Sequence, residues 1–329
     1  MNRKDVMKAA FIGVALILVL VILYSGLQIL ESTVFYEQQE EVAGETRWIV
    51  RDGVRYYPRQ DIVVVLLMGI DRKGVITGED TDRGHTADMI GLLIFDEKAE
   101  ESQLLLLNRD TMVMMSGLDD LGRENGRYYS QLALSHAYGT GREDSCENVR
   151  NTVSDLLYGI TIDHYVSMNM GGIAVLNDAV GGVTVQVVDD FSAIDPSIGM
   201  GEVTLYGQQA VNFVRIRKGL GDQLNLSRIE RHKTYFDGFM EALQEKLGHS
   251  SEFAMSLYEM ALPYLVTDCS VNVLTGMLER YADYELVEIV STEGENTRGE
   301  KYMEFYVDEE KRDVLRAAAK NSVCLEGSL

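Results

Sequence analysis

Three runs of apolar residues in the first half of the chain predict neighbouring strands at the centre of a sheet. The run Ile62–Ile70 (IVVVLLMGI) is too short for a membrane span and is rich in β-branched side chains, which is typical of a strand buried on both faces. Residues 89–95 and 102–107 repeat this pattern, and short polar connections separate them. Strands of this kind belong to α/β sheets that carry helices on both faces.

Beyond residue 140 the apolar period alternates between that of a helix and that of a strand. Gly181-Gly182 closes one of these helices, since glycine readily adopts the backbone that ends a helix. The sequence therefore predicts one α/β domain, a three-layer α/β/α sandwich with a central mixed sheet. The predicted helices are 143–158, 173–180, 208–214, 227–247, 252–266, 271–281 and a last one from about 308, and the predicted strands are 164–170, 183–188, 285–290 and 302–307.

One transmembrane helix is predicted ahead of this domain. Residues 9–30 carry no charge and are long enough to cross a hydrocarbon layer of about 30 Å as a helix. The apolar run is longer than that of a cleaved signal peptide, which makes cleavage the weaker interpretation. Three basic residues precede the span and four glutamates follow it, so the positive-inside rule predicts a single-pass cell-membrane protein with a cytoplasmic tail (1–8), an extracytoplasmic stalk (31–60) and an extracytoplasmic domain (61–329).

The chain is strongly acidic. Its 329 residues include 52 acidic and 30 basic side chains, which give a formal net charge of −22 and a pI near 4.6. A general surface of this sign argues against a protein that coats nucleic acid, and we expect no nucleic-acid partner. Net charge speaks to the surface as a whole, so a locally basic pocket remains compatible with it.

The three cysteines show no CxxC motif and no cysteine–histidine spacing typical of a metal site. Cys146 falls on the apolar side of the predicted helix 143–158, so we interpret it as a small core residue. This leaves open a disulfide bridge between Cys269 and Cys324 in a compartment that permits one.

Charged residues stand where the predicted core strands begin or end. Asp71 follows the first strand, Asp88 opens the second, and Arg109 and Asp110 follow the third. Open α/β sheets bind ligands beyond the ends of their strands, and carboxylates with phosphate oxygens are the ligands of Mg²⁺, with Mn²⁺ accepted by the same set. Taken singly, Asp71 and Asp88 are equally compatible with a structural role as turn caps.

A basic stretch lies at residues 215–233, with a net charge of +4 in the otherwise acidic chain. Arg228 and Arg231 are three residues apart and share one face of the helix predicted to begin at Ser227, where a phosphate would be favoured. Guanidinium groups match phosphate oxygens bidentately. The alternative is a solvated basic face that forms surface ion pairs. The basic residues are Arg215, Arg217, Lys218, Arg228, Arg231 and Lys233.

The chain lacks the local motifs of several common enzyme classes. It has no Gly-x-Ser-x-Gly nucleophile elbow, no phosphate-binding P-loop and no HExxH zinc motif, and its five histidines are dispersed. An α/β-hydrolase, a P-loop NTPase and a zinc protease are therefore disfavoured.

Ordered motifs follow one another along the outer domain, after the predicted span. They are VVVLLMGID, HTADMIGLLIFD, LLLLNRDTMV, SQLALSHAYGTG, VSDLLYGITIDHYVSMNMGGIAVLNDAVGGVTV, LYGQQAVNFVRIRKG and DQLNLSRIERHK. Together these motifs resemble the LytR-CpsA-Psr family of cell-envelope glycopolymer transferases. The similarity extends from about residue 63 to about 247 and more faintly to 307, so it covers nearly all of the outer domain.

The resemblance implies a phosphotransferase on the outer membrane face. Such an enzyme takes a polyprenyl-pyrophosphate-linked glycan, moves the glycan with one phosphate to an acceptor hydroxyl, typically of peptidoglycan, and releases polyprenyl phosphate. It also implies a metal site at Asp71 and Asp88 that holds Mg²⁺, and a catalytic Arg109-Asp110 pair in which Arg109 also contacts the pyrophosphate. The pyrophosphate-binding arginines implied by the matching motifs are Arg215, Arg217, Arg228 and Arg231.

Three positions depart from the family pattern. His232 stands where many members have glutamine, and Gln131 replaces a frequent lysine, so both are counted among the pyrophosphate-contacting positions with an altered contact. Asn225 occupies a slot that is often acidic, which leaves Asp222 or Asp110 to serve as a base. These departures keep a second hypothesis open, a membrane protein that binds polyprenyl pyrophosphate or envelope polymer without turnover.

Overall fold

The computed structural model describes residues 49–51, 54–58, 61–76, 84–157, 159–216, 220, 225–247, 251–270, 273, 277, 280–281, 284–308 and 323–325. The strands are β1 (Ile49–Arg51), β2 (Val54–Pro58), β3 (Ile62–Ile70), β4 (Ala87–Asp96), β5 (Glu101–Leu107), β6 (Met112–Leu118), β7 (Glu124–Gln131), β8 (His164–Asn169), β9 (Val183–Val187), β10 (Gly201–Leu205), β11 (Leu265–Thr267), β12 (Glu285–Ser291), β13 (Gly294–Arg298), β14 (Met303–Val307) and β15 (Val323–Leu325). The helices are α1 (Leu134–Ala137), α2 (Glu143–Leu156), α3 (Met170–Ala179), α4 (Gln208–Arg215), α5 (Asn225–Leu247) and α6 (Ser251–Ala261), and a 3-10 turn follows at Leu262–Tyr264.

A six-stranded mixed sheet forms the centre of the fold, in the order β11-β8-β3-β4-β5-β12. The pairs β8–β3 and β5–β12 are parallel, whereas β11–β8, β3–β4 and β4–β5 are antiparallel. The apolar runs that predicted three adjacent core strands are confirmed as β3, β4 and β5. The mixed α/β fold with a central mixed sheet is confirmed with them.

Each face of the sheet packs against helical residues, because alternate side chains of the buried strands point to opposite faces. On one face, Leu66 of β3 and Leu92 of β4 pack with Val149 of α2. On the other face, Leu104 and Leu106 of β5 pack with Ile229 of α5. This arrangement gives the three layers that the sequence pattern predicts.

A second apolar cluster lies beside the sheet. It is built from the β9–β10 hairpin and residues of α3, α4, α5 and α6, with the rings of Phe191 and Phe213 stacked 5.8 Å apart at its centre. The predicted Gly181-Gly182 helix end is confirmed, since α3 ends at Ala179 and both glycines have positive φ angles of 92° and 94°. The cluster anchors α4 and α5, the helices that carry the basic residues.

The structure differs from the sequence prediction in several places. The predicted helix 252–266 is wrong beyond Ala261, because Pro263 lacks the N–H that would continue a helix and the chain enters β11 instead. Of the four strands in the hairpins β6–β7 and β13–β14, the sequence predicted only β14. The others were missed because few of their apolar residues face a core. Ser227 is not the helix N-cap, since α5 already begins at Asn225.

The predicted tail (1–8) and transmembrane helix (9–30) lie outside the described residues. Within the part of the chain that is described, no helix has the length and apolar character needed to cross a membrane. Part of the predicted stalk forms β-strands, because β1 and β2 pair with each other and β2 also pairs with β15. Cys146 and Cys269 are both free and buried thiols, so the bridge left open between Cys269 and Cys324 is not formed.

Candidate active site

Charged side chains meet at one edge of the central sheet. Since β3, β4 and β5 run antiparallel in succession, the end of β3, the beginning of β4 and the end of β5 share an edge. Asp71 follows β3, Asp88 is the second residue of β4, and Arg109 follows β5. The predicted approach of Arg109 and Asp88 is confirmed, because Nη2 of Arg109 lies 3.3 Å from Oδ1 of Asp88. Asp71 is joined to the same edge by its backbone N–H, which donates to the Thr86 carbonyl oxygen at 2.9 Å.

A β-bulge sets the direction of Asp88. Gly69 pairs with Met89, whereas the next residue, Ile70, pairs with Ala87, so Asp88 has no residue of its own opposite it on β3. A bulge of this kind bends the strand and turns a side chain away from the regular alternation, and bulges are frequent next to active sites. Here it places the Asp88 carboxylate between the end of β5 and helix α5.

Asp88 is the centre of a buried charged cluster. Nη1 of Arg228 lies 3.2 Å from Oδ2 of Asp88, and Nη2 of Arg228 donates to the Asp88 carbonyl oxygen at 3.1 Å. Thr86 donates its hydroxyl to Oδ1 of Asp88 at 2.8 Å. The side chains of Arg228, Arg109 and Asp88 are only 2%, 10% and 13% exposed. Charges as deeply buried as these are costly without partners, so the three groups stabilise one another.

A second carboxylate, that of Asp110, is buried next to Arg109. Asp110 is 1% exposed, and its Oδ1 accepts a hydrogen bond of 2.8 Å from Nε2 of Gln131, which also donates to the Met303 carbonyl oxygen at 2.7 Å. Nε of Arg109 is buried 4.0 Å from that same oxygen and has no hydrogen-bond partner among the described residues. Gln131 therefore holds Asp110 in place beside Arg109.

Asp71 and Arg215 form a more exposed pair at the same edge. Nη2 and Nε of Arg215 lie 2.8 Å and 3.1 Å from Oδ1 of Asp71, and the two side chains are 37% and 33% exposed. Arg215 is the last residue of α4, so the second apolar cluster brings it over the sheet edge. Because this pair is open to solvent, a ligand can reach both of its members.

Arg231 and His232 form their hydrogen bonds outside this cluster. Arg231 is buried and makes an ion pair with Asp189, donates Nε to the Phe213 carbonyl oxygen at 2.9 Å, and donates Nη2 to the carbonyl of Ile216. His232 directs its Nε2 to the Val214 carbonyl oxygen at 2.8 Å. The predicted pyrophosphate contacts Arg231 and His232 thus both fasten α5 to the end of α4 through their hydrogen bonds. His232 is nevertheless close enough to Arg228 and Asp88 for their charges to affect its pKa.

Burial lowers the pKa of His232 to about 3 from its ordinary 6.5, and the positive charge of Arg228 adds to the effect. The unfolded chain therefore takes up this proton first as the pH falls, so the stabilisation is complete above pH 6.5 and is lost between 6.5 and 3. The free energy of unfolding is expected to fall by about 1 kcal/mol between pH 6.5 and about 5.5, and by about 1.4 kcal/mol for each further pH unit down to the folded-state pKa. Urea unfolding at a series of pH values measures this loss.

His232→Gln is the matched variant for that measurement. A glutamine amide can still donate to the Val214 carbonyl oxygen but carries no titrating proton, so the acid loss should shrink while stability at neutral pH is retained. His136, whose pKa is also lowered by burial, contributes equally to both proteins and cancels in the difference. An unchanged pH slope in the variant would assign the acid loss to groups other than His232.

Two predicted site residues, Arg217 and Asp222, lie outside the described residues. The sequence did not single out two groups that hold the site, Thr86 beside Asp88 and His85, whose Nδ1 donates to the Asp71 carbonyl oxygen at 2.8 Å. Both residues immediately precede β4 in the sequence, so their closeness to Asp88 along the chain was the signal that could have found them. Asp189, the partner of Arg231, follows β9 without any pattern that marks it.

The chemistry offered by this edge is recognition of an anion with a divalent cation. Three guanidinium groups, those of Arg109, Arg215 and Arg228, lie beside two carboxylates, the solvent-accessible one of Asp71 and the largely buried one of Asp88. Arginine forks bind phosphate oxygens bidentately, and a pair of carboxylates with phosphate oxygens is a donor set that suits Mg²⁺. A phosphate-containing ligand fits both halves of the site.

Comparison with known proteins identifies relatives of this chain. The LytR_cpsA_psr family matches residues 28–321. A relative in Oceanobacillus iheyensis, named polyisoprenyl-teichoic acid–peptidoglycan teichoic acid transferase TagU, is 30% identical over 236 residues, which are 69% of this chain and 65% of that protein. The corresponding protein of Halalkalibacterium halodurans is 33% identical over 162 residues, 48% of this chain and 46% of its own. The chain thus covers less than two thirds of these relatives' length.

Solved structures share the fold. A protein from Streptococcus agalactiae superposes with a TM-score of 0.65 at 22% sequence identity, covering 79% of this chain and 88% of its own. TagT bound to LI-WTA superposes with a TM-score of 0.57 at 21% identity, covering 80% of this chain and 91% of its own. At this level of identity the likeness concerns the fold.

Proposed function

Since the chain belongs to the LytR-CpsA-Psr family, we propose that it is a phosphotransferase that attaches glycopolymers to the cell wall. It takes a glycan linked to a polyprenyl-pyrophosphate carrier, passes the glycan with one phosphate to a hydroxyl of peptidoglycan, and releases polyprenyl phosphate. The observation that carries this proposal is the buried cluster of Arg109, Arg228 and Asp88 beside the open pair of Asp71 and Arg215.

The names of the relatives support the substrate class. The Oceanobacillus iheyensis relative is named for transfer of teichoic acid from a polyisoprenyl carrier to peptidoglycan, and TagT is described as bound to LI-WTA. For this chain, the lipid-linked glycan and the peptidoglycan acceptor are part of the proposal. Transfer of the glycan to a peptidoglycan acceptor is what the experiment below measures.

The charges of the site favour a divalent cation together with a pyrophosphate. Among the described residues, Asp71, Asp88 and Asp110 balance Arg109, Arg215 and Arg228. A pyrophosphate that links a glycan to a lipid carries two negative charges, so one Mg²⁺ at Asp71 and Asp88 keeps the loaded site neutral. Such an ion, for which Mn²⁺ can substitute, would neutralise charge on the phosphate oxygens.

The arginines act on the phosphate that leaves. The acceptor oxygen forms a bond to the glycan-side phosphorus, the bond from that phosphorus to the bridging oxygen breaks, and polyprenyl phosphate departs with the electron pair. Arg228 and Arg109 are held in place before the substrate arrives, so they stabilise the growing negative charge without reorganisation. The hydroxyl proton passes to a carboxylate, for which Asp110 and Asp222 are the candidates.

A membrane anchor completes the proposal. Residues 9–30 would cross the membrane once, with residues 1–8 in the cytoplasm and the domain from residue 61 outside, where the lipid carrier presents its pyrophosphate. The acidic surface fits a domain that works beside anionic polymers, because like charges limit non-specific adhesion.

The full chain in detergent, incubated with a labelled polyprenyl-pyrophosphate disaccharide and peptidoglycan oligomers, tests this function. We expect label on the oligomers and an equal amount of polyprenyl phosphate, with both products lost on chelation and restored by Mg²⁺ or Mn²⁺. Intact lipid recovered in tight complex, with no product under any metal condition, would instead establish the non-catalytic binding protein.

A further inference from the structure

Three side chains of different type converge at the beginning of β8, far along the sheet from Asp88. His164 is the first residue of β8 and pairs with Val65 of β3, whereas Asp88 lies at the end of β3. Asp268 and Cys269 directly follow β11, which is antiparallel to β8 and therefore ends beside His164. Nδ1 of His164 lies 3.7 Å from Oδ1 of Asp268, and Sγ of Cys269 lies 3.8 Å from the same oxygen.

We propose that His164 Nδ1, Asp268 Oδ1 and Cys269 Sγ form a zinc-binding site. The three donor atoms all lie within 4.8 Å of one another. In tetrahedral zinc sites with bonds of about 2.0 Å to nitrogen or oxygen and about 2.3 Å to sulfur, neighbouring donors are about 3.3–3.5 Å apart. The two distances to Asp268 exceed those values by only a few tenths of an ångström, so small side-chain rotations close the site.

The donor set selects the metal. A thiolate with an imidazole and one carboxylate suits Zn²⁺, whereas Mg²⁺ and Ca²⁺ prefer oxygen ligands alone. Three protein ligands leave a fourth tetrahedral position for water. The side chains of His164 and Asp268 are 26% and 22% exposed, so an ion can reach the site from solvent. Cys269 is a free thiol that must lose its proton on binding.

The surroundings support the ligands. Oδ1 of Asp268 accepts the backbone N–H of Tyr165 at 2.9 Å, and Nη1 of Arg150 lies 3.2 Å from Oδ2. Hydrogen bonds of this type orient a coordinating carboxylate. Arg150 also forms an ion pair with Glu147, which balances its positive charge. The negative charges of Asp268 and of a Cys269 thiolate are therefore left to balance the two positive charges of zinc. A bound ion would thus fasten the segment after β11 to β8.

Cobalt provides the test, because Co²⁺ occupies zinc sites and a cobalt–thiolate bond gives an intense near-ultraviolet charge-transfer band. The full chain in detergent is stripped with a chelator and titrated with Co²⁺ and then with Zn²⁺. We expect a charge-transfer band that saturates at one equivalent of Co²⁺ and disappears as Zn²⁺ displaces the cobalt. Zinc should also raise the thermal unfolding midpoint of the chain.

Matched variants make the result specific. Cys269→Ser should abolish the band, and His164→Gln should weaken Co²⁺ binding by at least about 10-fold. Cys146→Ala, which removes the buried thiol of α2, should leave the band and the zinc effect on unfolding unchanged. Absence of the band in the wild-type chain, or its survival in Cys269→Ser, would overturn the site. Since Asp71→Asn and Asp88→Asn do not touch this cluster, they should bind Co²⁺ here normally even if transfer fails.

Discussion

Asp88→Asn is expected to reduce glycan transfer by about 10²–10³-fold, the loss typical of removing one charged group that stabilises a transition state. The asparagine keeps the shape of Asp88 but loses the carboxylate that pairs with Arg109 and Arg228. The two guanidinium groups then repel each other, and the proposed Mg²⁺ site loses one of its two carboxylates. The Mg²⁺ concentration for half-maximal transfer should therefore rise together with the loss of rate.

Initial rates of label transfer at several Mg²⁺ concentrations measure both effects. Asp96→Asn is the matched control, because Asp96 ends the same strand at the opposite edge of the sheet, where its Oδ1 accepts hydrogen bonds of 3.0 Å from the backbone N–H groups of Lys98 and Ala99. Circular dichroism at the assay temperature establishes that both variants are folded. Wild-type turnover and an unchanged Mg²⁺ requirement in Asp88→Asn would remove Asp88 from the proposed site.

The sequence predicted the central sheet well because its core strands are buried on both faces. Such strands read as unbroken apolar runs, and the run Ile62–Ile70 coincides with β3 at both ends. The β6–β7 hairpin lies outside the sheet, and its solvent-facing tyrosines and glycines leave no comparable pattern. A strand that is stabilised mainly by backbone hydrogen bonds to a neighbouring strand can be predicted only once that neighbouring strand is known.

The site was predicted in part for a similar reason. Charged residues next to apolar strands were expected to meet, and Asp71, Asp88 and Arg109 do share one sheet edge. The direction of Asp88 depends on a bulge, which is a property of two paired strands and leaves no mark on one of them. Helical spacing likewise predicted the same role for Arg228 and Arg231, although Arg228 contacts β4 and Arg231 contacts α4.

The two helix arginines are expected to fail in different ways when they are replaced. Arg228→Lys should leave the fold intact and lower transfer by about 10²-fold, because one ammonium group cannot reach both the carboxylate and the carbonyl oxygen of Asp88 as the planar guanidinium does. Arg231→Met should instead lower the free energy of unfolding by about 3–5 kcal/mol, since it leaves Asp189 buried without its cation. Folded Arg231→Met protein should still turn over.

Urea unfolding and transfer rates, measured on both variants below the unfolding midpoint of the weaker one, separate these outcomes. The contrast rests on position: Arg228 bonds to the sheet edge, whereas Arg231 bonds to the Phe213 carbonyl oxygen at the end of α4 and stacks its guanidinium 5.8 Å from the Phe191 ring. The reverse pattern, with an inactive but fully stable Arg231→Met, would place Arg231 among the pyrophosphate contacts that the family motif implies. A stability loss confined to Arg231→Met would instead mean that the two arginines of this motif have different roles. Arg228 would bind the substrate, and Arg231 would hold in place the helix that carries Arg228.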